Sequence, residues 1–315
     1  MLRIWLFGSL CVGDDSTGDH VTAISGRCGS LLAYLALGRG RYFNRAELLD
    51  TLWTERMASM TAGSFNTALW RLRRMIERPP FRHGELIDSD RRGAICMSGS
   101  EAVWLDVEEF GRRIASGLDR PMEQLGDTEI EDLRTGVALY KSDILMELTD
   151  DWALREREKH RRHYLNALGR LMQVCTIRRE YGEAIGYAQK ILDCDALRED
   201  LHRELMQLFV LSGQRAQALR QFELCRDMLR RELAIQPMRE TLALYRQIAD
   251  NAIGGDQAAP PAMQAPLRMD YVPMTSLAAA EARPGHGASA CIASARRHLA
   301  AADAQLELSL QLIDS

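Results

Sequence analysis

Between residues 64 and 77 the hydrophobic side chains recur at helical spacing. Phe65, Leu69, Leu72 and Ile76 fall on one stripe of the segment SFNTALWRLRRMIE. This spacing predicts an amphipathic helix whose stripe is buried against the rest of the protein. The opposite face and its flanks carry Asn66, Thr67, Trp70, Arg71, Arg73 and Arg74. Such a face is either simply solvated or contacts a charged partner, and the flanking sequence has to decide between these two interpretations.

The pattern before this helix predicts two strands and a first helix. Residues 2–12 are apolar and rich in β-branched and aromatic residues, which predicts a strand, and residues 21–24 can pair with it as a second one. Leucines at helical spacing predict a helix over 29–37. Gly38 and Gly40 follow it and suit a left-handed cap at its C-terminus.

A second helix is predicted over residues 45–53, directly before the basic one. Asn44 and Glu47 have the spacing of a capping box, which places the start of the helix at Arg45. Residues 57–62 are then expected to form the loop between the second and third helices. Pro79 and Pro80 stop the third helix, because proline lacks the N–H that a helix interior needs.

After the prolines, the chain predicts a hairpin with a basic tip. Residues 86–90 and 94–98 read as its two strands, and Arg91 and Arg92 with Gly93 form the turn between them. Three helices followed by a basic-tipped hairpin are the order of a winged helix-turn-helix. In that arrangement the third helix enters the DNA major groove, and the wing reaches phosphates or the minor groove.

From residue 106 to about 250 every strong signal is helical, and part of it repeats. Four pairs of residues lie 34 positions apart: Leu171/Leu205, Met172/Met206, Ala184/Ala218 and Ile185/Leu219. A period of 34 with small residues where helices touch predicts tetratricopeptide-like helical hairpins. Gly182 and Gly213 are expected in the turns between helices, and Trp152 is expected in the core, because large aromatic side chains usually anchor packing.

The last part of the chain differs in composition. Residues 251–288 are rich in Ala, Pro, Gly, Met and Ser and are predicted to be a flexible linker. Residues 289–315 include an amphipathic stretch and are predicted to form a C-terminal helix. This helix could dock on the helical domain, pair with a second copy or form only on binding.

The charge is distributed unevenly along the chain. The net charge is −4, yet the first hundred residues contain 13 arginines, no lysine and ten acidic residues. Arg71, Arg73 and Arg74 form one cluster, and Arg91 and Arg92 form a second. A mildly acidic chain with local arginine clusters favours a local nucleic-acid contact over general binding to polyanions.

Several classes of protein are disfavoured. No apolar run approaches the about 18 residues of a membrane-spanning helix. Seven cysteines without a C-x-x-C pair indicate a reducing cytoplasm rather than disulfides or a zinc site. No phosphate-binding loop, G-x-S-x-G or H-E-x-x-H motif occurs, so neither catalysis nor a cofactor is expected. His160 and His163 have metal-binding spacing near Glu156 and Glu158, but the third ligand of a known site is missing, and no metal is expected.

Two groups of motifs carry a family resemblance. The segments FNTALWRLRRMIE and LIDSDRRGAICM resemble the OmpR-type winged helix of SARP-like bacterial regulators, and WLDVEEF resembles the segment that follows it. Residues 139–168 and 191–245 resemble the start and the end of the bacterial transcriptional activator domain of the same proteins. The chain departs from the family pattern at Asn66, where a basic residue is common, in the proline-free loop TERMASMTAG, and at Ala196, where proline is usual.

The resemblance implies a mainly α-helical protein with two functional parts. Residues 1–105 would be the DNA-binding winged helix and residues 106–250 the tetratricopeptide-like activator domain. By the same resemblance Asn66, Thr67, Trp70, Arg71 and Arg74 occupy DNA-facing positions, with Arg73, Arg91 and Arg92 joining them from the charge pattern.

We therefore expect a sequence-specific transcription regulator, an activator, in the nucleoid. Its partners would be promoter DNA, RNA polymerase, and a second copy in a homodimer or higher oligomer, with no role for a membrane. Two alternatives remain open at this point. One is a protein–protein adaptor whose winged helix no longer binds DNA, and the other is a repressor.

Overall fold

A computed structural model describes residues 1–14, 21–53 and 61–250. The predicted linker 251–288, the predicted C-terminal helix 289–315 and most of the predicted loop 57–62 lie outside these residues. The described part is mainly α-helical with small sheets near the N-terminus. It forms a winged helix followed by a helical-repeat domain, as the sequence predicts.

The N-terminal part contains six strands and three helices within the described residues. They are β1 Leu2–Trp5, β2 Cys11–Asp14, β3 Thr22–Ala23, α1 Gly26–Leu37, α2 Arg45–Leu52, α3 Thr61–Ile76, β4 Ile87–Ser89, β5 Ile95–Met97 and β6 Val103–Leu105. The helices that follow are α4 Asp106–Asp119, α5 Asp127–Leu139, α6 Asp151–Ile177, α7 Tyr181–Cys194, α8 Glu199–Leu211, α9 Arg215–Leu233 and α10 Arg239–Asp250, with a short 3₁₀ helix at Met122–Gln124.

The predicted strand over residues 2–12 is in fact a hairpin. β1 pairs antiparallel with β2, so that Leu2 lies opposite Asp14. The chain reverses near Gly8, which has a φ of +88° that an L side chain rarely adopts. A hydrophobic run of this length cannot by itself show where a strand folds back. β2 also pairs with β3, and β1 pairs in parallel with β6, giving the order β3-β2-β1-β6.

Helix α1 ends at the predicted place, but for a different reason. Gly38 has a φ of −107° and so does not form the left-handed cap, whereas Gly40 has a φ of +81°. A Cβ at Gly38 would lie 2.3 Å from the ring of Phe43. Gly38 therefore allows the close packing of an aromatic ring rather than a special backbone conformation.

Helix α2 starts at Arg45 with half of the predicted capping box. The Asn44 side chain accepts a hydrogen bond from the Glu47 N–H at 2.7 Å, which satisfies one of the unpaired donors at the helix start. The Glu47 carboxylate does not return to Asn44; it lies 2.6 Å from the Arg41 guanidinium. Arg41 thus pairs with the carboxylate that would otherwise have completed the capping box.

The winged helix and the helical domain share buried contacts at Asp106. Its carboxylate is buried at the first position of α4 and accepts hydrogen bonds from the N–H groups of Leu6 and Phe7, each at 2.9 Å, and of Val107 at 2.8 Å. Burial raises the pKa of the Asp106 carboxyl to about 6. The end of β1 is therefore fixed by a group that belongs to the next domain.

An aromatic cluster continues this junction. The Phe7 ring contacts Phe110 of α4, Tyr140 after α5 and His160 of α6, with centroid distances of 5.3, 4.8 and 6.0 Å. Phe7 also forms an isolated β-bridge with Ile144. The boundary predicted near residue 105 thus runs through a core that both parts share. The contacts in this core fix the orientation of one part relative to the other.

The 34-residue repeat is present as two helix pairs, α6 with α7 and α8 with α9. Their turns match bond for bond: the Glu180 N–H donates to the Cys175 carbonyl at 2.8 Å, and the Gln214 N–H to the Phe209 carbonyl at 2.7 Å. Ala184 of the first pair is fully buried, and so is Ala218 of the second.

The left-handed residues of these turns are only partly those predicted. Gly213 has a φ of +77° in the turn before α9, as expected. Gly182 lies inside α7, and the residue equivalent to Gly213 is Arg179 with a φ of +62°. The turn geometry is imposed by the packed helices, so a non-glycine residue takes a conformation that its side chain disfavours.

Candidate nucleic-acid interface

Helix α3 buries the predicted hydrophobic stripe. The exposed fraction is 1% for Phe65, 6% for Leu69, 0% for Leu72 and 3% for Ile76. Phe65 packs edge-on against Trp53 with a centroid distance of 5.4 Å. The orientation of the helix is therefore fixed, and its other side must face away from the core.

The outward side of α3 carries most of the predicted site residues. Asn66, Thr67, Trp70, Arg71 and Arg74 are all exposed. The Arg74 guanidinium carbon lies 4.9 Å from the centroid of the Trp70 ring. The Thr67 hydroxyl donates to the Gly63 carbonyl at 2.8 Å, so it also bonds its own helix. This face combines cationic, amide and aromatic groups on one helix.

Arg73 is used differently from its neighbours. Its side chain is half-buried, and Nη2 donates to the Ile87 carbonyl at 3.0 Å and to the Ser89 hydroxyl at 2.8 Å. These bonds attach α3 to strand β4. The sequence grouped Arg73 with the DNA-facing arginines, whereas the fold places its guanidinium between the helix and the hairpin.

The predicted basic hairpin is present as β4 and β5, with Asp88 opposite Cys96. The Asp90 carboxylate organises the turn by accepting hydrogen bonds from the N–H groups of Arg92 at 2.8 Å and Ala94 at 2.7 Å. Gly93 has a φ of +80°, which the turn requires. The exposed side chains of Arg91 and Arg92 therefore stand at a well-defined tip.

Arg45 connects helix and hairpin, a role that sequence reasoning missed. Its Nη1 donates to Asn66 Oδ1 at 3.2 Å, its Nε lies 3.4 Å from the Gly93 carbonyl, and its guanidinium carbon is 5.7 Å from the Phe65 ring centroid. Arg45 is exposed at the first position of α2. The contacting residues are 21 and 48 positions away, so no local periodicity could have revealed the connection.

The histidines that had metal-binding spacing belong to the core. His160 and His163 are both buried, with ring centroids 6.3 Å apart. Burial lowers the pKa of His160 to about 3. His160 lies in the aromatic cluster around Phe7, and its Nε2 is 3.7 Å from the Glu156 carboxylate. Packing accounts for their spacing.

One other group of metal-ligand residues occurs in the part of the chain that the structure describes. It consists of Cys175, Glu180 and Glu183. Arg134 already contacts both carboxylates, with Nη2 at 3.3 Å from Glu180 and 2.8 Å from Glu183. The cluster is therefore an ionic link between α5 and α7.

None of the described helices has both the length and the apolar composition needed to cross a membrane.

Comparison with known proteins gives a consistent picture. Residues 105–249 match the family model of the bacterial transcriptional activator domain. The chain is 26% identical over 242 residues to the transcriptional regulator RedD of Streptomyces coelicolor, covering 75% of this chain and 67% of that protein. It is also 26% identical over 261 residues to the regulatory protein AfsR of the same organism, covering 82% of this chain but only 25% of that protein.

A solved structure shows the same fold. It is EmbR of Mycobacterium tuberculosis in complex with a low-affinity phosphopeptide, with a TM-score of 0.63 at 18% identity, over 79% of this chain and 65% of that one. The activator-domain match, the two regulators and the winged-helix and helical-repeat fold agree with each other. Together these likenesses support a SARP-like bacterial transcriptional regulator.

Proposed function

We propose that this regulator binds double-stranded promoter DNA through α3 and the β4–β5 hairpin, and that it activates transcription. The observation that carries the proposal is the outward face of α3. It presents Asn66, Trp70, Arg71 and Arg74 opposite a stripe whose burial fixes the helix in place.

The chemistry of this face suits the major groove. An α-helix fits the groove, and an arginine there can fork onto the acceptor pair of guanine or clamp a phosphate. Arg91 and Arg92 at the hairpin tip would add phosphate or minor-groove contacts, which position the protein without specifying sequence. Arg45 contacts α3 and the hairpin turn together, so both elements would meet DNA as one surface.

We propose that the helical-repeat domain contacts other protein molecules. Stacked helix pairs create an extended surface that usually binds protein. We propose that residues 106–250 mediate self-association or contact with RNA polymerase, while residues 1–105 bind DNA. We also propose, from the sequence, that residues 251–288 form a linker and residues 289–315 a helix. A location in the cytoplasm at the nucleoid is likewise proposed from the sequence.

Titration of the full chain with bulk double-stranded DNA at several salt concentrations tests the DNA proposal. For a DNA-binding protein, the logarithm of the binding constant falls linearly with the logarithm of the salt concentration. The slope is about −0.9 for each phosphate contacted. An adaptor that has lost DNA binding would show little association at any salt, and this result would reject the proposal. A chromatin-binding map, combined with transcript levels after deletion of the gene, would then separate activation from repression.

A further inference from the structure

Trp70 differs from the other tryptophans of the chain. Its exposed fraction is 54%, whereas Trp53 and Trp152 are each 6% exposed. Trp5 and Trp104 are half-buried and pack edge-on against each other at 6.1 Å. A large aromatic ring in water on an otherwise polar helix face has an unfavourable hydration cost, which a bound partner can remove.

Arg74 lies one helical turn after Trp70 and covers its ring. The guanidinium carbon is 4.9 Å from the ring centroid, a distance at which cation–π attraction operates. The stack limits the rotamers of the arginine, so less entropy is lost when its N–H groups bind an acceptor. Among the described residues, no hydrogen-bond or ion-pair partner of the Arg74 guanidinium is found.

We propose that Trp70 and Arg74 act as a pair that reads a guanine with a thymine beside it. Arg74 donates to guanine O6 and N7, and the indole of Trp70 contacts the C5-methyl group of the thymine. This inference rests on the proposed function and adds a base preference to it. The contacts of α3 with the rest of the protein fix the orientation of the helix but do not determine which bases it reads.

The choice of bases follows from their major-groove edges. Guanine alone presents two neighbouring acceptors, which match the paired donors of an arginine, while thymine alone presents a methyl group. The two bases must be adjacent, because the guanidinium lies within 5 Å of the indole and successive bases rise by about 3.4 Å. An indole face offers no acceptor or donor to other bases, and its contact with a methyl group is purely apolar.

The test begins with the full chain and a pool of randomised DNA duplexes. Repeated selection is expected to enrich a sequence in which thymine neighbours guanine. In that duplex the thymine is then replaced by deoxyuridine, which pairs identically but lacks the methyl group. We expect the parent protein to lose about fourfold in affinity, the value of one buried methylene-sized group. Trp70→Ala should bind both duplexes equally, and Trp70→Phe should regain most of the difference.

A second substitution isolates the arginine. Replacing the guanine by 7-deazaguanine removes one acceptor, and we expect the parent to lose at least fivefold while Arg74→Ala is insensitive. Arg162→Ala removes the same charge from an exposed position on α6 and serves as the control. Deoxyuridine at other thymines of the duplex should have no effect that depends on Trp70.

Two results would overturn the pairing. One is a selected sequence without thymine next to guanine; the other is a Trp70→Ala variant as sensitive to deoxyuridine as the parent. Failure of the proposed function itself looks different, because no duplex would be enriched and no salt-dependent DNA binding would be seen. That outcome would reject both the function and the pairing.

Discussion

The indole of Trp152 packs edge-to-face on the ring of Tyr34, with centroids 5.2 Å apart and planes at 87°. Tyr34 belongs to α1 of the winged helix and Trp152 to the first turn of α6. The contact therefore joins the two parts through α1 and α6. Trp152 is buried, as the sequence predicted, but in a core that both parts share.

Removing this indole should destabilise the whole chain. For Trp152→Ala we expect the free energy of unfolding to fall by about 3–5 kcal/mol, because a large buried side chain leaves a cavity. Chemical denaturation followed by circular dichroism measures this change. Leu154→Ala is the matched control, since Leu154 is 41% exposed two residues further along the same helix. Equal stability of the two variants would contradict the role of Trp152 in a common core.

The outward arginines of α3 should determine DNA affinity without affecting the fold. Arg71→Ala and Arg74→Ala are each expected to weaken specific binding by about 1–3 kcal/mol. Fluorescence anisotropy with the selected duplex at fixed salt provides the measurement, and Arg162→Ala controls for the loss of one positive charge. Unchanged affinity in both variants would show that this face of α3 does not touch DNA.

Arg73 should behave in the opposite way. Its bonds to Ile87 and Ser89 hold strand β4 on α3, so Arg73→Ala is expected to lower the free energy of unfolding by about 1–3 kcal/mol. DNA affinity, corrected for the folded fraction, should change much less than in Arg71→Ala. Thermal unfolding and anisotropy on the same sample separate these effects. A variant of parental stability that has lost DNA affinity would return Arg73 to the DNA-facing surface.

The hairpin tip should contribute affinity but little sequence preference. Replacing Arg91 and Arg92 by Ala is expected to weaken binding to selected and random duplexes by the same factor. It should also reduce the slope of log affinity against log salt by about 0.9 for each phosphate that the variant no longer touches. Titrations at four or five salt concentrations give both quantities. A change in preference with an unchanged slope would mean that the tip reads bases.

Acid should destabilise the protein through His160. Burial lowers the pKa of His160 to about 3, against an ordinary value of 6.5, so the unfolded state binds more protons between these values. The stabilising contribution is therefore complete above about pH 6.5 and falls with decreasing pH, by at most about 1.4 kcal/mol per pH unit.

Denaturation at pH 7 and pH 5 should show this loss, and His160→Phe should reduce it. Asp106 has the opposite effect, because its pKa is raised in the folded state from 3.8 to about 6. Its contribution to the free energy of unfolding is complete below the ordinary pKa and is lost as the pH rises through about 6. The quantity to compare is therefore the free energy of unfolding of His160→Phe and of the parent at each pH. His83→Gln, at an exposed histidine, should follow the parent; a His160→Phe variant with the parental pH dependence would refute the assignment.

The sequence by itself determined the elements whose signals are local. The stripe from Phe65 to Ile76 established the orientation of α3, because its four members recur at the helical period and all are buried. The turn at Arg91 and Arg92 was predictable because it combines two short strands with a glycine. The 34-residue period predicted the helix pairs, since equivalent positions make the same contacts in each repeat.

Only the tertiary structure decided how these elements meet. Arg73 and its exposed neighbours are chemically alike in the sequence, and the approach of β4 alone separates them. Arg45 joins Asn66 to Gly93 because three distant segments converge there. The carboxylate of Asp106 acquires its role only when the end of β1 folds against it. Periodicity reports which side of an element is buried, whereas the identity of the neighbour depends on contacts between residues far apart in the chain.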